Sequence, residues 1–174
     1  MSRSPAPREA YHHGNLRAEA TRAALSILEV EGEAAVTLRR VAGAARVTHG
    51  ALARPFGDRD GLLDVLADEG MSALGEAVAE AREAEAFVRA YLGFALARPR
   101  LYDLAMRRAR AAPSASARLI AAAREALGGN DDGIKRVWMT LHGGLTLRAA
   151  GALAPQDDEG FADQMTALAL GGTA

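Results

Sequence analysis

Thr37 and Thr48 each open a short apolar pattern, and each is preceded by a valine and followed four positions later by a second aliphatic residue. Val36 pairs in this way with Val41, and Val47 with Leu52. A threonine hydroxyl accepts a hydrogen bond from a free amide in the first turn of a helix, and the flanking apolar pair closes as a hydrophobic staple. The spacing therefore predicts two short helices, 37–44 and one starting at Thr48, joined by a turn too tight to hold anything else. A longer helix precedes them. Leu16, Ala20, Ala23, Ala24, Ile27 and Leu28 fall on one helical face, with Asn15 as the expected N-cap and Gly32 as a left-handed terminator. A supporting helix followed by two short helices and a tight turn is the organisation of a helix-turn-helix module.

Composition bears on the rest of the chain. Alanine makes up 41 of the 174 residues, β-branched residues are few, and glycine and proline punctuate long periodic runs, so the whole chain is expected to be helical. With no cysteine, disulfides, thiolate nucleophiles and cysteine-ligated metals are excluded. No apolar stretch reaches the length of a membrane span, and the polar start 1–16 has no apolar core of a signal peptide. A cytoplasmic protein with no membrane partner is expected. The net charge of −1 gives no global field for a polyanion. Locally, residues 1–63 hold nine arginines against seven acids, a weakly basic head.

Periodicity divides the chain further. Residues 1–14, with Pro5, Pro7, Arg3 and Arg8, read as a flexible basic arm. Residues 15–60 form the helix-turn-helix head. From 61 to 174 a helical bundle follows: a helix opened by Asp58 and running to about 84, then 86–97, 100–110, 116–127, 134–153 and 160–170, about nine helices in all. Leu62, Leu63, Leu66, Met71, Leu74 and Val78 supply the buried stripe of the first of these.

The stretches YHHGNLR (Tyr11 to Arg17), EVEG (Glu29 to Gly32), VTLRRVAGAARVTHGAL (Val36 to Leu52) and PFGDRDGLLDVLADEG (Pro55 to Gly70) resemble, in this order, the head of TetR-family transcriptional regulators. FVRAYLGFALARPRLYDL (Phe87 to Leu104) and VWMTLHGGLTLRAAGAL (Val137 to Leu153) are similar to a regulatory domain named for its Trp, His and Gly, here Trp138, His142 and Gly143. The resemblance implies a dimer that grips operator DNA through its heads and is released by a small molecule bound in the C-terminal domain. It implies a repressor; no Ser-His-Asp spacing, paired-carboxylate motif, Walker loop or Rossmann glycine pattern is present in the sequence, so neither an enzyme nor a cofactor is expected. Three positions depart from the family pattern. Arg46 stands in the turn where glycine is usual, and Ala53 and Pro55 stand where a Tyr and a His usually reach phosphates. Pro55 is expected to shorten the second short helix to about 48–54. These departures motivate an alternative, a TetR-like fold with weakened or lost operator binding that acts as a ligand- or partner-binding protein.

Candidate residues follow. Thr37, Arg39, Arg46, Thr48, His49, Gly50 and Arg54 are the expected DNA contacts, the helix start at Thr48 reaching base edges while its amides meet a phosphate. Phe87, Tyr91 and Phe94 repeat at i, i+4 and i+7, and Tyr102 and Met106 at i, i+4. With Trp138 and His142 they are the candidate wall of a pocket for a small, largely apolar effector. Leu141, Leu145 and Arg148, with Phe161, Met165 and Leu168, are the candidate face of an isologous homodimer. His12, His13, His49 and His142 lie on separate elements without acidic partners at ligand spacing, so no metal is expected.

Overall fold

A computed structural model describes residues 13–108 and 113–171, with side chains described from Leu16 and again from Ser116. Among the described residues there is no strand. The elements are α1 (His13–Glu31), a 3-10 turn (Glu33–Ala35), α2 (Leu38–Ala44), α3 (His49–Phe56), α4 (Arg59–Val78), α5 (Ala84–Ala97), α6 (Pro99–Arg108), α7 (Pro113–Ala126), α8 (Asp131–Ala149) and α9 (Asp158–Leu170). None is long and apolar enough to cross a membrane. Contacts divide the chain into two units, 1–63 and 64–174. Most of the arm expected at 1–14, His12 included, lies outside the described residues, as does the side chain of His13.

In the first unit α1 buries Leu16, Ala20, Ala24, Ile27 and Leu28, the face read from periodicity. It begins at His13, so Asn15 sits inside the helix and is not its cap. Gly32 ends it at φ 91 and ψ 170, a positive φ with extended ψ in place of left-handed helical geometry. Both threonine caps form: Thr37 Oγ1 accepts from the Arg40 amide at 3.1 Å and Thr48 Oγ1 from the Ala51 amide at 3.3 Å. Val36, Val41 and Leu52 are fully buried and Val47 is half-buried, so both members of the α2 pair and one of the α3 pair lie in the core. Helix α3 carries Pro55 inside it and runs on to Phe56, beyond the end expected at 54. Phe56 is buried, the guanidinium of Arg17 lies 5.8 Å from its ring centre, and Arg17 Nη1 donates to the Pro55 carbonyl at 3.3 Å. These tertiary contacts outweigh the local bias against helix before proline. Arg59, the first residue of α4, ties that helix to the 3-10 turn, donating to the carbonyls of Glu33 and of Val36 at the end of the turn, each at 2.9 Å.

The second unit has a continuous core. Leu74, Val78, Phe87, Val88, Tyr91, Leu92, Leu141, Phe161, Met165 and Ala169 share it, drawn from α4, α5, α8 and α9. Two glycines permit close helix approach. A Cβ on Gly70 would stand 3.0 Å from Ala105 Cβ and Leu101 Cδ1 on α6, and one on Gly144 would stand 2.1 Å from Met165 Sδ on α9. Helix α4 stops at Val78 instead of about 84; Arg82 Nη1 then donates back to the Ala79 carbonyl at 2.7 Å. Helix α8 is shifted toward the N-terminus relative to the expected 134–153. Asn130 caps it, its Oδ1 accepting from the Asp132 and Gly133 amides, and Gly151 at φ 68 ends it. Asp157 caps α9 through the Gly160 amide at 2.8 Å. In both helices a polar residue outside the apolar stripe sets the start, which periodicity alone does not register.

Candidate functional site

The turn between α2 and α3 has a specific geometry. The Arg46 amide donates to the Gly43 carbonyl at 3.3 Å and the Val47 amide to the Ala42 carbonyl at 2.9 Å, the paired bonds of a Schellman motif with Arg46 at the position usually held by glycine. Arg46 has φ 56. Left-handed geometry costs a non-glycine residue about 1–2 kcal/mol. A cation at the C-terminal end of α2 returns only about 0.3–1 kcal/mol through the helix dipole. The turn is therefore strained, with its side chain exposed.

Arg39, Arg46 and Arg54 are exposed and enter no ion pair or side-chain hydrogen bond among the described residues. Thr48, His49 and Gly50 are exposed beside them at the start of α3, and Thr37 is half-buried at the start of α2. Of the other described head arginines, Arg40 pairs with Glu31 at 2.7 Å and Arg59 and Arg17 are engaged as above, while Arg22 on α1 is exposed. The seven candidates thus fall within one stretch of the head, 37–54, six of them exposed. Ala53 is exposed there as well.

The second unit holds a cavity of about 420 Å³, within the range of small-molecule sites. Phe87 and Tyr91 of α5, Met106 of α6 and Trp138 of α8 line it, as expected by position. Phe94, Tyr102 and His142 do not. Phe94 packs under Arg98, whose guanidinium is 5.9 Å from its ring centre. Tyr102 lies behind the wall, with its hydroxyl 3.0 Å from that of Tyr91 and 3.0 Å from His142 Nδ1. His142 stacks on Trp138, the ring centres 5.7 Å apart at 13°. Tyr91, Tyr102 and His142 thus form one chain of hydrogen bonds running from the cavity wall outward. If Nδ1 is bare the hydroxyl protons point toward His142; if Nδ1 carries the proton they point toward the cavity.

Helix α7 and the residue just after it also belong to the wall. Ser116, Leu119, Ile120, Ala123, Arg124 and Leu127 contribute, with Met71, Ile134, Val137 and Leu141 from flanking helices. The spacing of Leu119, Ala123 and Leu127 at i, i+4 and i+8 is the signal that marks this face. Charged groups in the lining are Arg124, Asp131 and Lys135, and they are engaged at the surface: Arg124 with Asp131 at 3.3 Å and Lys135 with Asp132 at 3.4 Å. Apart from Ser116 and the polar tips of Tyr91 and Trp138, the remainder is apolar.

Burial pushes the Tyr91 phenol up to about 12, against the opposing hydrogen bonds of Tyr102 and Trp138. Burial raises Tyr102 too, with the adjacent Tyr91 adding to it. A phenol held neutral in the fold while the unfolded chain ionises lowers stability as pH rises. The contribution is intact below about 10 and is lost from there toward 12 for Tyr91, at about 1.4 kcal/mol for each pH unit. Urea unfolding followed across that interval is expected to show the loss, and the Tyr91→Phe/Tyr102→Phe double variant to show a markedly shallower one.

The expected dimer residues divide. Leu141, Leu145, Phe161 and Met165 are buried inside the protomer's own core, and Leu141 also lines the cavity, so they do not form an open outer face. Arg148 folds over Phe161 at 4.6 Å and pairs with Asp158 at 2.6 Å. Leu168 is 59% exposed, and with it Met139 at 61% and Leu147 at 49% on α8. The reason is that α8 and α9 pack on each other and on α5, so the strongest apolar stripe of each turns inward.

Residues 84–168 match the family described as "Tetracyclin repressor-like, C-terminal domain". A protein of unknown function from Rhodococcus sp. RHA1 is 30% identical, with 95% of this chain and 98% of that one covered and a TM-score of 0.68. A TetR-like transcriptional regulator from the same organism superposes at a TM-score of 0.64 over 97% and 100% of the two chains, at 17% identity. The chain belongs to the TetR family of transcriptional regulators. The fold of this TetR-family chain is also that of the fatty acid degradation regulator FadR from Bacillus halodurans, with a TM-score of 0.61, 15% identity and 99% and 98% of the chains covered. No curated protein is similar enough in sequence to be matched. The family is one of transcriptional regulators, and of these neighbours the TetR-like regulator and FadR are named as such; at 17% and 15% identity their likeness shows the fold.

Proposed function

We propose that this TetR-family regulator is a ligand-responsive, sequence-specific repressor, a homodimer released from its operator by a small, largely apolar effector. What carries the reading is the combination of a capped helix-turn-helix unit bearing three uncommitted exposed arginines, Arg39, Arg46 and Arg54, with an apolar cavity of about 420 Å³ in the other unit. Thr48, His49 and Gly50 enter the major groove at the start of α3, and Thr37, Arg39, Arg46 and Arg54 meet phosphates on either side. The effector acts by binding one arrangement of the dimer more tightly than the other, a differential of about 1–3 kcal/mol.

Two measurements test this. Fluorescence anisotropy against duplex DNA enriched by the protein from a genomic fragment pool is expected to show sequence-selective binding that weakens steeply with salt. Arg54→Ala is expected to reduce the salt slope by about one, weakening all sequences alike. Trp138 is the single tryptophan and lies in the cavity wall, so its emission reports occupancy directly. Titration with an apolar naphthylamine dye is expected to quench or shift it and to lower DNA affinity. Ala53 and Pro55 favour a second reading, in which the fold senses a ligand without holding DNA. Dye binding at Trp138 with no salt-sensitive, selective DNA binding would establish that second reading in place of the first.

A further inference from the structure

Among the described residues, positive φ occurs at Gly32, Gly57, Gly128, Gly129, Gly151 and Arg46. Wherever else this chain needs that backbone region it uses glycine, which adopts it without a steric penalty. The exception sits in the turn that sets α3 against α2. Nothing inside the protomer compensates for it: the Arg46 side chain is exposed and makes no ion pair and no hydrogen bond to the last carbonyls of α2 among the described residues. Its backbone bonds to Gly43 and Ala42 are bonds that glycine would make equally well, and the attraction of a cation to the helix end falls short of the strain. A strained residue without an internal partner points to an external one.

Arg46 also lies in a particular place. It is two residues before the Thr48 cap, next to the exposed start of α3, on the surface that lacks side chains at two later positions, where Ala53 is a methyl group and Pro55 has its carbonyl bound by Arg17. We infer that Arg46 is a DNA-backbone contact held in place by the left-handed turn, and that the head gives up fold stability at this position for a phosphate contact. The inference rests on the DNA-binding reading above and adds a trade-off to it: the same residue weakens the fold and strengthens the complex.

The test uses the full chain, random-sequence duplex DNA and three variants. Phosphate binding is sequence-independent, so no operator is needed. Arg46→Gly is expected to raise the melting temperature of the head by about 5 °C. It is also expected to weaken duplex binding about three- to tenfold at low salt and to reduce the salt slope by about one. Arg46→Asn keeps a side chain that tolerates the left-handed region but has no charge, and is expected to give the same DNA loss. Arg46→Lys retains both charge and strain and is expected to match the parent in slope and in melting temperature. A stabilised Arg46→Gly with unchanged affinity and slope would sink the phosphate role while leaving the DNA-binding reading standing. Failure of Arg46→Gly to raise the melting temperature would remove the strain on which the inference is built. If the parent protein shows no salt-dependent duplex binding, the functional reading fails and this inference fails with it.

Discussion

Replacing Leu147 and Leu168 together with glutamate is expected to yield a folded monomer that no longer holds operator DNA at moderate salt. Both side chains are about half exposed or more, at 49% and 59%, while their inward-facing neighbours Leu145, Met165 and Ala169 are buried, so the core does not need them. On the proposed homodimer reading these exposed aliphatics of α8 and α9 lie in the subunit interface. Helices α8 and α9 can present them on a firm base because Gly144 admits Met165 at contact distance. In an isologous pair each substitution enters twice. Four charges in a desolvated interface are expected to raise the dimer dissociation constant by about three decades, roughly 4 kcal/mol. On the proposed reading each head grips one half-site, so loss of the dimer is expected to remove tight binding as well. Light scattering over a dilution series checks the mass, and helical circular dichroism checks the fold. A double variant that stays dimeric would show that the subunits meet elsewhere.

Phe161→Ala is expected to act in the opposite way, on the protomer itself. Its ring is fully buried in the core shared by α5, α8 and α9, under the Arg148 guanidinium at 4.6 Å. Truncating a buried phenylalanine costs about 3–5 kcal/mol, since the lost contacts leave a cavity that helices pinned by other side chains cannot close. Against a total of about 5–15 kcal/mol for a domain, that is a large fraction. Arg148 also loses the ring that holds it near Asp158. Denaturant unfolding monitored at Trp138 gives the value. A loss below about 1 kcal/mol, with dimerisation impaired instead, would restore Phe161 to the partner-facing role that its place in the sequence suggests.

Phe161 and Leu168 show where sequence reasoning reaches and where it stops. Phe161, Met165 and Leu168 have one helical period and similar apolarity. Nothing local says that the first two turn toward the core and the third toward solvent, because the choice depends on which other helices arrive. The cavity shows the same limit. Phe87, Tyr91, Met106 and Trp138 line it; helical spacing marks the first three, and Trp138 is marked by the resemblance. Tyr102 and His142 satisfy the same periodicity yet stand behind the wall in a chain of hydrogen bonds. Helix α7, with no aromatic residue to mark it, supplies Leu119, Ala123 and Leu127.

The head was far more legible. Its threonine caps, its stapled valines and leucine and the strained turn at Arg46 each depend on bonds and contacts spanning only a few residues, so residue type and spacing suffice to specify them. Pro55 marks the limit of that rule. Local sterics say the helix should end before it, and the burial of Phe56 under Arg17 carries the helix past it. By itself the sequence determined the helical class, the capped and stapled pair, and the cation in the turn, because short-range hydrogen bonds and sterics decide those. Only the tertiary structure decided which apolar stripe became core, cavity wall or open face, and which arginines stayed uncommitted, because burial and ion pairing are properties of surfaces brought together from distant parts of the chain.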